Sequence, residues 1–204
     1  MPACDQSFYQ VRLDWGREGL ARLAPADVVV VVDILRFTTA ATDAADRGEP
    51  FTLDGSGSVN GAPVAAAASG ALVLAGSLRN ATAIAKAVLA EQHRRGGRLS
   101  IAVLPAGEMG RDGESVRFAI EDQLGAGAII DALAVLGLDH SSPEAAVACE
   151  SFRGLRGAVR HLLLAGGSGC ELVERGLRDD VLHAAELDVA DVVPILRDGA
   201  FVAA

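Results

Sequence analysis

Five consecutive valines, Val28 to Val32, lie immediately before Asp33. A short, continuous run of β-branched residues is typical of a strand that is buried on both faces of a sheet. In open α/β sheets, ligands bind in the crevice beyond the carboxyl ends of such strands. Asp33 is therefore the first candidate for a functional residue, and Arg36, Thr38 and Thr39 follow it in the next turn.

The pattern of an apolar segment, a polar junction and a helical segment recurs along the chain, with further buried strands predicted over 72–75 and 101–104. Helices are predicted over 17–23, 38–47, 81–95, 114–136, 143–152 and 155–164. A turn is predicted over 166–169, and two short helical pieces after it. Outer or terminal strands are predicted over 8–13, 192–196 and 200–202. This alternation predicts an α/β fold in which a layered, mostly parallel sheet is flanked by helices. Residues 1–204 are predicted to form one domain.

The charge balance excludes several classes of partner. A net charge of -9 would repel a phosphate backbone, which argues against nucleic-acid binding and against binding to an anionic membrane. A small anion can still bind through local arginines, whose guanidinium forks suit phosphate, sulfonate or carboxylate. We therefore expect a small anionic ligand.

The cysteines and the amino terminus indicate an unexported protein. Cys4, Cys149 and Cys170 are an odd set without CxxC spacing, so neither a disulfide framework nor a cysteine zinc site is expected. No basic segment followed by an apolar core opens the sequence, and no apolar run is long enough to span a bilayer. A cytoplasmic location is the expectation.

Polar groups follow all three predicted buried strands. Asp33 and Arg36 follow the first, and Gly107 and Glu108 follow the third. The second is followed by Ser77, Arg79 and Asn80. Because neighbouring parallel strands end at one edge of a sheet, these junctions are expected to converge there.

Such a junction suits the chemistry of a phosphomonoesterase. Carboxylates can hold a hard cation such as magnesium, and positive groups or backbone N–H donors can hold phosphoryl oxygens. Asp33, Glu121 and Asp122 are candidate metal ligands or bases, although adjacent helical residues point in different directions. Arg36 and Arg79 are candidate anion ligands.

Each candidate also has a structural interpretation. Thr38, Thr39 and Asn80 are common helix caps. Arg36 and Arg79 can form structural ion pairs, and the acidic pair at 121–122 can be solvated on a helix surface. The four histidines, at 93, 140, 161 and 183, lack metal-ligand spacing and are treated as structural or surface residues. The segment 166–170 lacks the last glycine of a serine-hydrolase elbow.

Several segments resemble the 2-phosphosulfolactate phosphatase family of magnesium-dependent acid phosphatases linked to coenzyme M biosynthesis. The similar segments are VDILRFTTA at 32–40, NGA at 60–62, AGSLRNA at 75–81, AGE at 106–108, EDQLGAG at 121–127 and GCELVERGLRDDV at 169–181. The resemblance implies an α/β fold, Mg²⁺ as cofactor and hydrolysis of a small phosphate ester such as 2-phosphosulfolactate to the hydroxy acid and phosphate. It also implies a tendency to form homo-oligomers.

The resemblance identifies a set of site residues. The implied catalytic and metal-binding residues are Asp33, Glu121 and Asp122, and the implied substrate-binding residues are Arg36, Thr38, Thr39, Asn60, Gly61, Ser77, Arg79 and Asn80.

One segment departs from the family. Between the positions of Gly48 and Asn60 the family carries a longer stretch with a glycine- and glutamate-bearing loop. The shortened segment motivates an alternative function, in which a catalytically impaired member binds a small anion or serves an assembly role. A further alternative is an α/β hydrolase that uses Cys149 or Cys170.

Overall fold

A computed structural model describes residues 3–110, 112 and 115–204. Its nine strands in this part of the chain are β1 (Val11–Leu13), β2 (Val28–Val32), β3 (Phe51–Thr52), β4 (Leu72–Gly76), β5 (Ile101–Pro105), β6 (Glu108–Met109), β7 (Val116–Arg117), β8 (Pro194–Arg197) and β9 (Ala200–Ala203). Its nine α-helices over the same residues are α1 (Gly16–Arg22), α2 (Phe37–Asp46), α3 (Gly61–Ala67), α4 (Ala81–Arg95), α5 (Ile120–Val135), α6 (Pro143–Leu155), α7 (Val159–Ala165), α8 (Gly167–Glu174) and α9 (Arg178–Ala184).

Seven of the described strands form one mixed sheet in the order β1-β5-β2-β4-β8-β9-β3. The first four strands of this order are parallel, and the last three join them antiparallel. Helices cover both faces, which confirms the predicted α/β class. The remaining two strands, β6 and β7, form a separate hairpin.

The valine run explains how the helices on both faces are packed against the sheet. Val28, Val30 and Val32 pack into a core with α4, α5 and α6 on one face, while Val29 and Val31 pack into a second core with α1, α2 and α3 on the other. Because side chains alternate along a strand, burial on both faces requires an unbroken apolar run.

The strand register places the predicted junctions side by side. Val32, the last residue of β2, is aligned with Gly76 on β4 and with Pro105 on β5. The residues that follow these three strands therefore leave the sheet at one level. The predicted convergence of the polar junctions is confirmed.

Two predicted boundaries are wrong. The fifth helix begins at Ile120, since Val116 and Arg117 pair with β6 in the hairpin; its expected start at Glu114 lies outside the described residues. The predicted turn at 166–169 instead opens α8. A Cβ on Gly169 would lie 1.7 Å from the Leu163 carbonyl oxygen, so glycine there lets α8 pack directly against α7.

Other differences are smaller. A 3-10 turn at Arg156–Ala158 separates α6 from α7, so the predicted helix over 155–164 begins later, at Val159. The helix α3 was not predicted. No helix within the described ranges is long and apolar enough to cross a membrane.

Candidate active site

Asp33 lies where β2 ends and is only 6% exposed. Its Oδ2 accepts a hydrogen bond from the Gly61 backbone N–H at 2.9 Å and a longer one from the Ser58 hydroxyl at 3.4 Å. Its Oδ1 has a 3.4 Å contact from the Phe37 N–H. The first turn of α3 thus holds one carboxylate oxygen firmly, and the other oxygen is held more loosely.

Asp122 ties two strand ends together. It lies in the first turn of α5, where its Oδ1 accepts from the Ile34 N–H at 2.7 Å and its Oδ2 from the Gly107 N–H at 2.9 Å. Ile34 follows β2 and Gly107 follows β5. The side chain therefore fixes the spacing of the two junctions from behind the site.

The side chain of Glu121 points in a different direction from that of Asp122, as expected for adjacent residues on a helix. It is 3% exposed, and its Oε1 contacts the Ser168 hydroxyl at the start of α8. The same hydroxyl contacts Glu108 of the β6–β7 hairpin, and Glu108 pairs with Arg117. Glu121 thus connects α5 to α8 and to the hairpin.

Asp33 and Asp122 both have raised pKa values. Burial, together with the negative charge of Glu121, raises the pKa of Asp33 to about 6, although the hydrogen bonds from Phe37 and Gly61 oppose the shift. Burial raises the pKa of Asp122 well above its usual range, and the charges of Asp33 and Glu121 add to the effect. Within the described part of the chain, no basic side chain forms an ion pair with any of the three.

A cleft of about 880 Å³ opens in front of Asp33. Its walls come from the β2–α2 junction, the loop before α3, the β6–β7 hairpin and the helices α8 and α9. Its charged lining residues are Asp33, Arg36, Asp43, Glu108, Glu171, Arg175, Asp180 and His183. Such a volume is typical of a site for a small ligand.

Two arginines line this cleft. Arg36 donates to Asp180 on α9 at 2.7 Å, and both side chains are nearly half exposed. Arg175, at the end of α8, forms no ion pair with any described residue. The cleft therefore has a carboxylate wall at the sheet edge, and its remaining surface carries two guanidinium groups as well as the carboxylates of Asp43, Glu171 and Asp180.

The predicted ligands after β4 do not line the cleft. Asn80 Oδ1 accepts from the backbone N–H and the hydroxyl of Ser77, and Asn80 Nδ2 donates to the carbonyls of Ala75 and Val192. Both Ser77 and Asn80 are completely buried. Their hydrogen bonds support the capping interpretation, because no polar atom of either side chain is presented to a ligand.

Arg79 also lies behind the cleft. It contacts Glu186 and donates to the His183 carbonyl, and its Nε is buried 3.4 Å from Asp43 without a hydrogen bond. Asp43 in turn lies 2.9 Å from His183 Nε2. Arg79 therefore supports the wall that carries Asp43 and His183, as in the structural interpretation of this residue.

The two threonines differ in position. Thr38 is completely buried, and its hydroxyl donates to the Asp33 carbonyl while accepting from the Asp33 N–H. Thr39 lines the cleft, and its hydroxyl donates to the Ile34 carbonyl at 2.8 Å. Both hydroxyls shape the β2–α2 junction.

Asn60 and Gly61 lie at the cleft edge near Asp33. Asn60 lines the cleft and accepts from the Met109 N–H at 3.1 Å, which links the loop to the hairpin. A Cβ on Gly61 would lie 2.4 Å from the Phe37 ring and 2.7 Å from Asp33 Oδ2. Glycine at this position allows the backbone to approach the carboxylate.

Several lining residues were not predicted as site residues. They are Asp43, Ser58, Glu108, Ser168, Glu171, Arg175, Asp180 and His183. Glu108 follows a predicted strand and carries the same signal as Asp33. Asp43 lies on α2 and Ser58 in the loop before α3. The remaining five, Ser168, Glu171, Arg175, Asp180 and His183, reach the sheet edge only through the packing of α8 and α9.

The site suits Mg²⁺ in donor chemistry and in charge. Its ligand atoms are carboxylate oxygens, the type that this ion prefers. Burial and, secondarily, neighbouring negative charge raise the pKa values of Asp33 and Asp122, and a bound cation would offset both effects. Among the described residues, however, no group of three His, Cys, Asp or Glu side chains is arranged to hold a metal ion. The fit is therefore one of chemistry and charge.

The cysteines differ in environment. Cys149 is buried in α6, and burial raises the pKa of its thiol. Cys170 is exposed on α8, where its Sγ lies 3.5 Å from the Leu164 carbonyl oxygen. Neither residue is among those that line the cleft.

Comparison with known proteins points to one family. Residues 58–199 match the model of the family described as 2-phosphosulpholactate phosphatase. A protein of Symbiobacterium thermophilum named "Probable 2-phosphosulfolactate phosphatase" is 29% identical over 162 residues, which make up 78% of this chain and 62% of that relative. The chain thus spans less than two thirds of the relative's length, and the family match begins after Asp33 and Arg36. Since the match covers more than half of the sequence, the chain belongs to the 2-phosphosulfolactate phosphatase family.

Proposed function

We propose that this protein is a magnesium-dependent phosphatase that hydrolyses a small anionic phosphate ester such as 2-phosphosulfolactate. The observation that carries the proposal is the arrangement of Asp33, Glu121 and Asp122, three neighbouring buried carboxylates without a basic partner among the described residues. They lie at or behind one wall of a cleft that also presents Arg36 and Arg175. Family membership supports the same reaction.

The carboxylates have different roles in this proposal. Asp33 and Glu121 would hold Mg²⁺, while Asp122, whose two oxygens each accept a backbone N–H, adds negative charge from behind. When bound, the ion supplies positive charge that stabilises the phosphoryl oxygens. Asp33 lines the cleft, so its carboxylate would be the ligand that faces the phosphate ester.

The guanidinium groups bind the anionic ester. Arg36 and Arg175 line the cleft and match the fork geometry of phosphate and sulfonate oxygens. The Asn60 side chain, which is anchored to the hairpin, closes the cleft next to Asp33. These groups orient the phosphoryl group toward the carboxylate wall, and orientation itself lowers the barrier to reaction.

The test is phosphate release from 2-phosphosulfolactate and from a panel of phosphomonoesters, measured with Mg²⁺ and with a chelator. We expect Mg²⁺-dependent release, and we expect Asp33→Asn to lower kcat by about 100-fold or more. Asp54→Asn, a change at an exposed aspartate outside the cleft lining, is the matched control and should retain activity. No release from any ester would refute the catalytic proposal.

A second candidate function is anion binding without catalysis. It is favoured by the absence, among the described residues, of three side chains arranged to hold a metal ion. In that case phosphate should raise the Tm of the protein while no ester is hydrolysed, and Asp33→Asn should leave the measured hydrolysis unchanged.

A further inference from the structure

The ion pair between Arg36 and Asp180 joins two separate walls of the cleft. Arg36 occupies the N-cap position of α2, four residues after the end of β2, and Asp180 lies in the first turn of α9. Their contact is 2.7 Å long, and both residues line the cleft. The carboxylate of Asp180 therefore accepts a hydrogen bond from a guanidinium group that lines the cleft.

The ion pair between Arg36 and Asp180 is weak enough for an anion to displace it. Only Arg36 Nη1 and Asp180 Oδ2 form the hydrogen bond, so the contact is not the bidentate arrangement of a strong arginine–carboxylate pair. The two side chains are 48% and 42% exposed, and ion pairs with such exposure contribute little stability. An oxyanion entering the cleft competes with Asp180 for the same guanidinium.

We propose that Asp180 is an intramolecular competitor that sets the affinity of this cleft for oxyanions. While Arg36 is paired with Asp180, that carboxylate uses the Nη1 donor and offsets part of the guanidinium charge, so the apparent affinity of the cleft for an anion is lowered. After displacement, the Asp180 carboxylate remains in the lining and repels the bound anion. The proposal rests on the proposed function in one respect, namely that Arg36 contacts the anionic ligand.

Asp179 provides a matched control for this role. It precedes Asp180 in the same turn of α9, is exposed, and forms no ion pair with a described residue. Replacing either aspartate by asparagine changes net charge and the first helical turn equally. Only the Asp180 substitution removes the contact with Arg36.

The experiment measures inorganic phosphate binding by calorimetry at fixed ionic strength, with and without Mg²⁺. We expect Asp180→Asn to bind phosphate about two- to fivefold more tightly than Asp179→Asn, as follows from the strength of an exposed ion pair. In an Arg36→Gln background the gain from Asp180→Asn over Asp179→Asn should be smaller, because only the repulsion between the Asp180 carboxylate and the anion is then removed. If esters are turned over, Asp180→Asn should lower KM by the same factor and leave kcat nearly unchanged.

The outcomes separate this proposal from the proposed function. Equal affinities for Asp180→Asn and Asp179→Asn, or weaker binding by Asp180→Asn, would overturn the competitor role while leaving the phosphatase proposal standing. Unchanged phosphate binding after Arg36→Gln would also overturn it. Absence of phosphate binding to both the unmodified protein and Asp180→Asn would contradict both proposals. Because binding needs no turnover, an inactive protein still tests the competitor role.

Discussion

At the scale of single residues, the environment of Asp33 determines when its carboxyl group ionises. It is buried at the end of a strand, yet it lines a cleft open to a ligand. Burial disfavours its charged form, and the hydrogen bonds from Gly61 and Phe37 only partly offset this effect. Asp33 is thus a carboxyl group whose ionisation falls near neutral pH.

The raised pKa of Asp33 predicts a specific pH dependence of stability. Because the pKa is about 6 in the folded protein against a reference value of 3.8, the folded state binds more protons between these values. The stability associated with that proton is present at low pH and is lost as pH rises through about 6. Relative to the unmodified protein, Asp33→Asn should therefore gain on the order of 2 to 3 kcal/mol between pH 4 and pH 7.

Urea unfolding followed by circular dichroism, in the presence of a chelator, measures this difference. A constant offset between the two proteins, such as the loss of one hydrogen bond, does not affect its pH dependence. Asp179→Asn is the control, and its difference from the unmodified protein should not follow the same pH curve. A difference for Asp33→Asn that is the same at every pH would contradict the raised pKa.

At the scale of elements, the packing of α5 on α6 decides where the site carboxylates lie. Asp122 and Glu121 stand in the first turn of α5, so any shift of this helix moves both. Gly127, one turn further on, allows close approach of α6, because a Cβ there would lie 2.2 Å from the Ala148 carbonyl oxygen. This contact involves backbone, so it cannot be relieved by a side-chain rotation.

Two glycine substitutions on this helix pair should have opposite effects. Gly127→Ala should lower the free energy of unfolding by about 1 to 3 kcal/mol, because it overpacks the α5–α6 interface. Gly154→Ala, on α6, adds a Cβ that no described atom approaches within 4 Å, and it should raise that free energy by up to about 1 kcal/mol through helix propensity. Urea unfolding at one pH checks both, and destabilisation of equal size at the two positions would refute the packing argument.

Element prediction from the sequence succeeded where one local signal was sufficient. The valine run at 28–32 and the Gly96 C-cap at the end of α4 identify their elements directly. It failed before Ile120 because Val116 and Arg117 pair with β6, and at 166–169 because glycines were interpreted as a turn. In the second case, glycine at position 169 allows the start of α8 to pack against α7, because there is no room for a side chain there.

At the scale of the whole molecule, the C-terminal hairpin completes the sheet and supports the site. Phe201 on β9 is completely buried, pairs with Phe51 on β3, and its ring lies 6.0 Å from that of Phe37. Phe37 in turn packs beside Gly61 and follows Arg36. The end of the chain therefore contributes to the wall behind Asp33.

Removal of the Phe201 ring should destabilise the protein strongly. Phe201→Ala should lower the free energy of unfolding by about 3 to 5 kcal/mol, because it leaves a cavity between α2 and the hairpin. Phe8→Ala, a change at a phenylalanine that is 77% exposed, should cost less than about 1 kcal/mol. Thermal and urea unfolding compare the two variants. Similar losses of unfolding free energy would show that the C-terminal hairpin of β8 and β9 is not part of the cooperative core.

The sequence was sufficient for predicting the strand–helix alternation, the doubly buried valine strand and the group of polar residues that follows it, because these depend on local periodicity and on chain connectivity. It also pointed to Asp33, Glu121 and Asp122. The three-dimensional packing shows that Ser77 and Asn80 form a capping box and that Asp122 accepts hydrogen bonds from the residues that follow two strands. It also brought Arg175, Asp180 and Ser168 to the cleft, because their positions depend on how α8 and α9 pack against the sheet edge, which no local pattern encodes.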